Sequence, residues 1–328
     1  MLLMNNLRSI LWLACGLLAL LPVTTACAQE YPNRPIRVIV PWPAGGLVDI
    51  AARAIGERVQ TALGQALVIE NKPGAGGAIG AEQVAKAAPD GYSLLFTTSA
   101  LNMNAALRSK LPFDVTKDFE PVAVVAHAPG ILVVHPGLGV KSVKELIALA
   151  KSKPGKLSYA SAGPGSPAHL SAELFKSMLD IDMVHVPYKG APPAMLDQIA
   201  GRVDVQFANP AVAIPQIKAG KLQALAVTST KRFAPLPDTP TMAESGVPAF
   251  EADQWLGFLA PRGTPRAVIE RLVTEINKSV GLEQVRSVLG QNGMSPATAS
   301  TPSEFGSYLR QDLAKWTAVV KLANIQPE

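Results

Sequence analysis

The chain holds two cysteines in 328 residues, Cys15 and Cys27, and both fall within its first 28. The rest of the chain has none. A disulfide framework is therefore excluded, and stability rests on a hydrophobic core. Aromatic residues make up 5% of the chain and charged residues 17%. Thirty basic against 25 acidic side chains give +5. The first 28 residues hold one of these charges, Arg8, so +4 remains without them. The basic residues are scattered, and no stripe interleaved with aromatics exists, which argues against a nucleic-acid partner. The four histidines, His127, His135, His169 and His185, lack ligand spacing, which argues against a metal. No Gly-x-Ser-x-Gly elbow is present. Gly74-Ala75-Gly76 with Gly80 misses the spacing of a dinucleotide loop, so no cofactor is expected. Ser166 and His169 stand three apart, but no carboxylate is placed to complete a triad, so no enzyme is expected either.

Long apolar runs are also missing, with one exception. Residues 10–21 are almost wholly apolar, Pro22 breaks them, and Ala26-Cys27-Ala28 has the small-x-small form of a signal-peptidase site. Spanning a bilayer needs ~20 residues. The segment therefore reads as a cleaved secretory signal over residues 1–28, which sends the chain to the periplasm. The rival reading, a lipoprotein acylated at Cys27, is disfavoured by Thr24, where a lipobox wants Leu. About 300 residues then remain, enough for two domains or one large one.

The stretch Val38-Ile39-Val40-Pro41-Trp42-Pro43-Ala44-Gly45-Gly46-Leu47-Val48-Asp49 is the most informative. A β-branched strand runs into a Gly-rich turn, and a helical pattern starts at once with Ile50, Ala51, Ala54, Ile55 and Val59. Backbone N–H groups at such a helix start are unpaired and meet the positive end of the helix dipole. Anions bind there. A second loop of the same character, residues 160–169, lies far away in sequence. Two such loops suggest a small acid held between two lobes.

The remaining pattern alternates strand and helix. Strands are predicted near residues 66–70, 92–97, 122–126, 131–134, 157–160, 183–186, 203–207, 222–227 and 254–261. Helices are predicted over 79–87, from a capping box at Ser142 and Glu145, after the 161–166 loop with Leu170, Leu174 and Met178 on one face, and over 194–199, 265–280 and 303–322. This order defines an α/β protein with mostly parallel sheets and helices on both faces.

These segments resemble the periplasmic receptors of the tripartite tricarboxylate transporter (Bug) type. The resemblance is carried by Val40-Pro41-Trp42-Pro43-Ala44-Gly45-Gly46 with Asp49, Glu70-Asn71-Lys72-Pro73-Gly74-Ala75-Gly76-Gly77 with Gly80, and Pro89-Asp90-Gly91-Tyr92. It continues through Gly163-Pro164-Gly165-Ser166 with His169, Pro187-Tyr188-Lys189-Gly190 with Pro193-Ala194, and Gly201-Arg202-Val203-Asp204. Pro240-Thr241 with Glu244 and Ala260-Pro261 with Gly263-Thr264-Pro265 complete it. Trp42 stands where the family more often has Phe, and Leu47 and Val48 replace small or hydroxyl residues.

The resemblance implies a monomeric, two-lobed type II periplasmic binding protein that closes on its ligand and hands it to integral-membrane transporter subunits. Lobe one would comprise residues 29–128 and 254–328, and lobe two residues 129–253. The strands near 122–134 and 254–260 would be the crossovers that form the hinge. The ligand would be a small organic acid or related metabolite. A sensing receptor without a transporter is the alternative reading, and a hydrolase a remoter one.

In this frame Ala44, Gly45 and Gly46 offer backbone N–H groups from the first loop, and Gly163, Gly165 and Ser166 from the second, with the Ser166 hydroxyl as a further donor. Asp49 binds a ligand ammonium or hydroxyl, or caps its helix. His169 donates to a carboxylate or packs. Lys189 attracts acids or is a solvated turn residue. Ser99 and Asn209 follow strand ends, where ligands of open α/β sheets sit. Trp42 walls the pocket or covers the hinge.

Overall fold

A computed structural model describes residues 31–108, 110–322 and 325. The signal segment proposed for residues 1–28 lies outside the described residues. Residues Arg34–Glu328 form one compact unit. Its first strand, β1 (Ile36–Val40), has all but one residue buried and turns through residues 41–46 into α1 (Leu47–Leu63). Gly64 ends α1 in the left-handed conformation, which needs no Cβ. The next elements are β2 (Leu67–Asn71), α2 (Ala78–Ala85), β3 (Ser93–Thr98), α3 (Ala100–Leu107) and β4 (Phe119–Ala128).

After Pro129 and Gly130 the chain continues through β5 (Ile131–Val134), α4 (Val143–Ser152), β6 (Ser158–Ser161), α5 (Pro167–Leu179), β7 (Val184–Pro187) and α6 (Ala191–Ile199). Then come β8 (Val205–Ala208), α7 (Pro210–Lys218) and β9 (Gln223–Val227). The last part is β10 (Gln254–Pro261), α8 (Arg266–Gly281), α9 (Glu283–Gln291), β11 (Ser295–Pro296) and α10 (Pro302–Leu322). The capping box starts α4 as expected: Ser142 Oγ accepts from Glu145 N–H at 3.2 Å, and Glu145 Oε2 reaches back to Lys141 N–H at 2.7 Å.

Two sheets result. One has six strands in the order β11-β4-β10-β3-β1-β2, the other five in the order β7-β6-β8-β5-β9. Both are mixed. Pairing is parallel for β1 with β2 and β3, and for β6 with β7 and β8. Around β10 and β5 it is antiparallel. The cause is topological. The parallel strands run toward the cleft, whereas β5 and β10 enter their sheets from the other one and so run away from it. The chain crosses at residues 129–130 and again between β9 and β10. Thr228 joins the crossings: its Oγ1 accepts from Gly130 N–H at 2.7 Å and lies 3.3 Å from the Ala252 carbonyl.

The C-terminal helix is a third link. Phe305 and Leu309 of α10 pack in the core of the six-stranded sheet. Trp316, farther along the same helix, is buried in the core beside the five-stranded sheet.

Candidate ligand site at four helix ends

A cavity of about 60 Å³ lies between the two sheets. It is lined from the carboxyl ends of β1, β3, β6 and β8, the position expected for ligands of open α/β sheets. Four helices start at it. Gly46, Leu47 and Val48 open α1, Pro167 and Ala168 open α5, Ala191 and Pro192 open α6, and Asn209 caps α7. Each N-terminus carries about half a positive charge and first-turn N–H groups that the helix itself does not use. Side chains cap two of the four: Ser166 Oγ accepts from His169 N–H, and Asn209 Oδ1 from Val212 N–H, each at 3.3 Å. Gly46 of α1 and Gly190 of α6 provide no side-chain cap. Among the described residues, no charged side chain lines this cavity.

Its other walls are apolar or neutral: Trp42, Pro43, Thr98, Ala162, Phe207, Gln206 and Gln254. Trp42 Nε1 and Gln206 Oε1 are buried with no hydrogen-bond partner among the described residues. Such groups are costly unless something satisfies them. A second chamber adjoins the first, sharing Trp42, Pro43 and Ala162 with it, and is lined further by residues 73–77, 163–164 and 188–190.

The candidate residues separate into three groups. Trp42, Gly46 and Asn209 line the inner cavity. Gly163 and Lys189 line the outer chamber, with Lys189 exposed. Ala44, Gly45, Asp49, Ser99, Gly165, Ser166 and His169 line neither.

The reasons are local. The Gly45 N–H donates to Asp49 Oδ2 at 3.0 Å, so it is not a free donor, and Ala44 and Gly45 are exposed. Asp49 is 4% exposed and also accepts from Arg53 and from Asn71 Nδ2, each at 3.0 Å. Burial pushes its carboxyl up, but the bonds from Arg53, the Gly45 amide and Asn71 outweigh that and hold it below the usual range. It sits in the first turn of α1 and ties down the loop that precedes it. Ser99 is fully buried, and Thr98 lines the cavity in its place. The Gly165 N–H donates to His169 Nδ1 at 3.2 Å. Ser166 is fully buried and its hydroxyl caps α5. His169 is 2% exposed and stacks on His185 with ring centroids 4.4 Å apart.

Sequence reasoning missed Asn71 and Gln206. Asn71 Nδ2 donates to the Trp42 carbonyl at 2.9 Å as well as to Asp49, and so fixes the first loop. Its place in the Glu70–Gly77 motif gave it no role of its own. Gln206 interrupts an otherwise apolar four-residue strand, and that interruption was the available signal.

Two mixed α/β sheets, chain crossings between them and a cavity at the crossing ends define the two-lobed fold of periplasmic solute-binding proteins. Within that class, residues 51–325 match the family model described as tripartite tricarboxylate transporter family receptor, and the chain belongs to this family. It is 38% identical over 296 residues to Protein BugT of Bordetella pertussis, covering 90% of each chain. Rpa4515 of R. palustris, solved with adipate, is 36% identical, with a TM-score of 0.87 over 91% of this chain and 100% of that one. MatC (Rpa3494) from Rhodopseudomonas palustris, solved with bound malate, is 32% identical, with a TM-score of 0.84 over 88% and 100%.

Proposed function

We propose that this receptor binds a small carboxylate in the inner cavity and delivers it to a tripartite tricarboxylate-type membrane transporter. The carrying observation is the convergence of four helix N-termini on a cavity without a charged side chain. An anion is held there by N–H groups and dipoles, with no arginine needed. Relatives solved with adipate and malate support the ligand class. The family name supports the transporter partner. The protein acts as a monomer in the periplasm. Lobe one takes residues 29–128 and 254–328, and lobe two residues 129–253, with α10 reaching across. Trp42, Gly46 and Asn209 contact the ligand, and Gly163 and Lys189 guard the approach. Binding is stoichiometric and the acid leaves unchanged.

The test is a thermal-shift screen of small carboxylates on ligand-free protein. A ligand held between both lobes binds only the folded chain, and should add ~2.7 kcal/mol at a hundredfold excess over its dissociation constant. At least one acid should raise the melting temperature clearly. A broad screen with no rise would overturn the reading.

A further inference from the structure

We propose that His169 is a positioning residue whose neutral imidazole, through Nδ1, fixes the Gly165 peptide and hence the start of α5 that faces the cavity. This rests on the receptor reading above. Gly165 has a φ of +75° and lies one residue before the α5 cap. Its N–H ends on His169 Nδ1 at 3.2 Å. His169 in turn sends its own amide to the Ser166 cap. One residue thus closes the loop from two sides. Nδ1 accepts only while it carries no proton. A protonated ring would set two donors face to face, and the peptide would have to turn.

That peptide has little room to turn. Against the Gly165 Cα lies the carboxamide of Asn104, from α3 beside the other sheet, which already occupies the place of a Gly165 Cβ. Asn104 is 2% exposed and is itself held by bonds to the carbonyls of Gly76 and Ala100. The Gly165 peptide is therefore keyed between His169 in its own lobe and Asn104 in the other. A turned peptide would press on Asn104 and oppose the approach of the two lobes. Ala168, at the cavity, is two residues beyond the Ser166 cap.

The layer beneath the loop repeats the device. Gly163 N–H ends on Ser161 Oγ at 3.0 Å, and that oxygen lies 2.6 Å from His185 Nε2. His185 of β7 stacks on both His169 and Tyr159 of β6. Tyr159 donates to Glu173, which also binds Lys176; both acid and lysine belong to α5. The titratable groups around the ring are thus His185, Tyr159, Glu173 and Lys176, and the facing Asn104 is neutral.

The test is calorimetric titration with malate and with adipate between pH 8 and 5.5. The parent affinity should fall at least tenfold toward pH 5.5. His169→Asn sets an amide oxygen near the place of Nδ1. It should keep the pH 8 affinity within threefold and flatten the profile. His169→Leu has no acceptor and should lose at least tenfold at pH 8. Comparison between variants cancels the titration of the acid itself. Binding by His169→Leu equal to the parent, or a parent-like slope in His169→Asn, would overturn the proposal. If neither acid binds, the ligand class is at fault, and nitrogen-15 NMR of the ligand-free protein decides about His169. Nδ1 must be the unprotonated nitrogen at pH 8; a protonated Nδ1 sinks the proposal.

Discussion

Trp255 Nε1 donates to Asp312 Oδ2 at 2.8 Å, and this bond ties the incoming crossover strand β10 to the helix that bridges both cores. Asp312 also accepts from Asn102 Nδ2 at 2.8 Å and from Trp316 Nε1 at 3.0 Å. Burial pushes its carboxyl up, and the three donors with nearby Lys315 pull the other way. Replacing this hub by Leu leaves two indole N–H groups without an acceptor and removes one of the two acceptors of Asn102 Nδ2, which keeps the Leu309 carbonyl. The expected cost is about 3–5 kcal/mol, since each orphaned buried donor costs ~1–3 kcal/mol and relaxation recovers part. Thermal denaturation of Asp312→Leu should show a loss of roughly 5–15 °C. A shift near zero would show that the hub is not what holds α10.

Asp253 lies just before β10, and its Oδ1 is 3.4 Å from Thr228 Oγ1, the hydroxyl that joins the two crossings. Burial, and then the charge of Glu251, push its carboxyl from 3.8 to about 6, against the pull of Thr228 and Lys315. A carboxyl whose folded pKa is raised contributes stability below its unfolded pKa and loses it as pH rises through the folded one. Between pH 4 and 6 Asp253 should therefore cost the fold progressively more, up to about 3 kcal/mol. Asp253→Asn should melt higher than the parent at pH 7, by several degrees, and equal it near pH 4. The reverse order at pH 7 would refute the assignment.

Asn71 offers a more local test. Its amide spans the Trp42 carbonyl and the Asp49 carboxylate, so it sets the first loop without touching the cavity. Its Oδ1 also accepts from Arg53 at 3.1 Å, so Asn71→Ala loses three hydrogen bonds and should cost about 1–3 kcal/mol of stability. It should also weaken carboxylate binding, because Trp42 and Gly46 lose their support. Unchanged affinity by calorimetry would mean that α8, α9 and the rest of lobe one already fix the loop.

The frame was legible where local signals were strong. Short apolar runs bounded by turn residues gave β1, β3, β5 and β10 within a residue or two, and the Ser142 capping box gave α4. Three helices left no such signal. On α3 the apolar Leu101 and Met103 alternate with Asn102 and Asn104, and all four are buried, so no polar face exists to reveal a period. On α7, Pro215 inside the helix reads as a breaker, and α9 comes after α8 almost without a loop. The mixed sheets were hidden because strand direction depends on which lobe a strand comes from, and sequence does not carry that. The site was half legible. Gly-rich helix starts were visible, but which N–H groups were already taken was not. Gly45 and Gly165 are bound by side chains four residues on, and α6 and α7 became helix ends at the cavity only through the fold.

The contrast between two glycines gives the sharpest test of the closed cavity. A Cβ on Gly45 would meet nothing within 4 Å, and the residue is exposed. The sequence offered the Gly45 N–H as a ligand donor, whereas in the structure it donates to Asp49. Gly45→Leu should cost only the strain of its φ of +78°, about 1–2 kcal/mol, and leave affinity within a few-fold. Gly190 differs. It caps α6 in one lobe, and its Cβ would lie 2.8 Å from Pro43 Cγ of the other. A leucine there wedges the lobes apart, and its φ of +121° adds strain within the folded chain. Gly190→Leu should therefore bind the carboxylate found in the thermal screen at least tenfold more weakly, a loss of about 1.4 kcal/mol. Melting of the ligand-free variants separates strain from occlusion. Small-angle scattering with saturating acid should show the parent contracting and Gly190→Leu remaining extended. If Gly190→Leu binds and contracts like the parent while Gly45→Leu does not, the ligand lies on the Gly45 side of the loop and not in the cavity between the four helix ends.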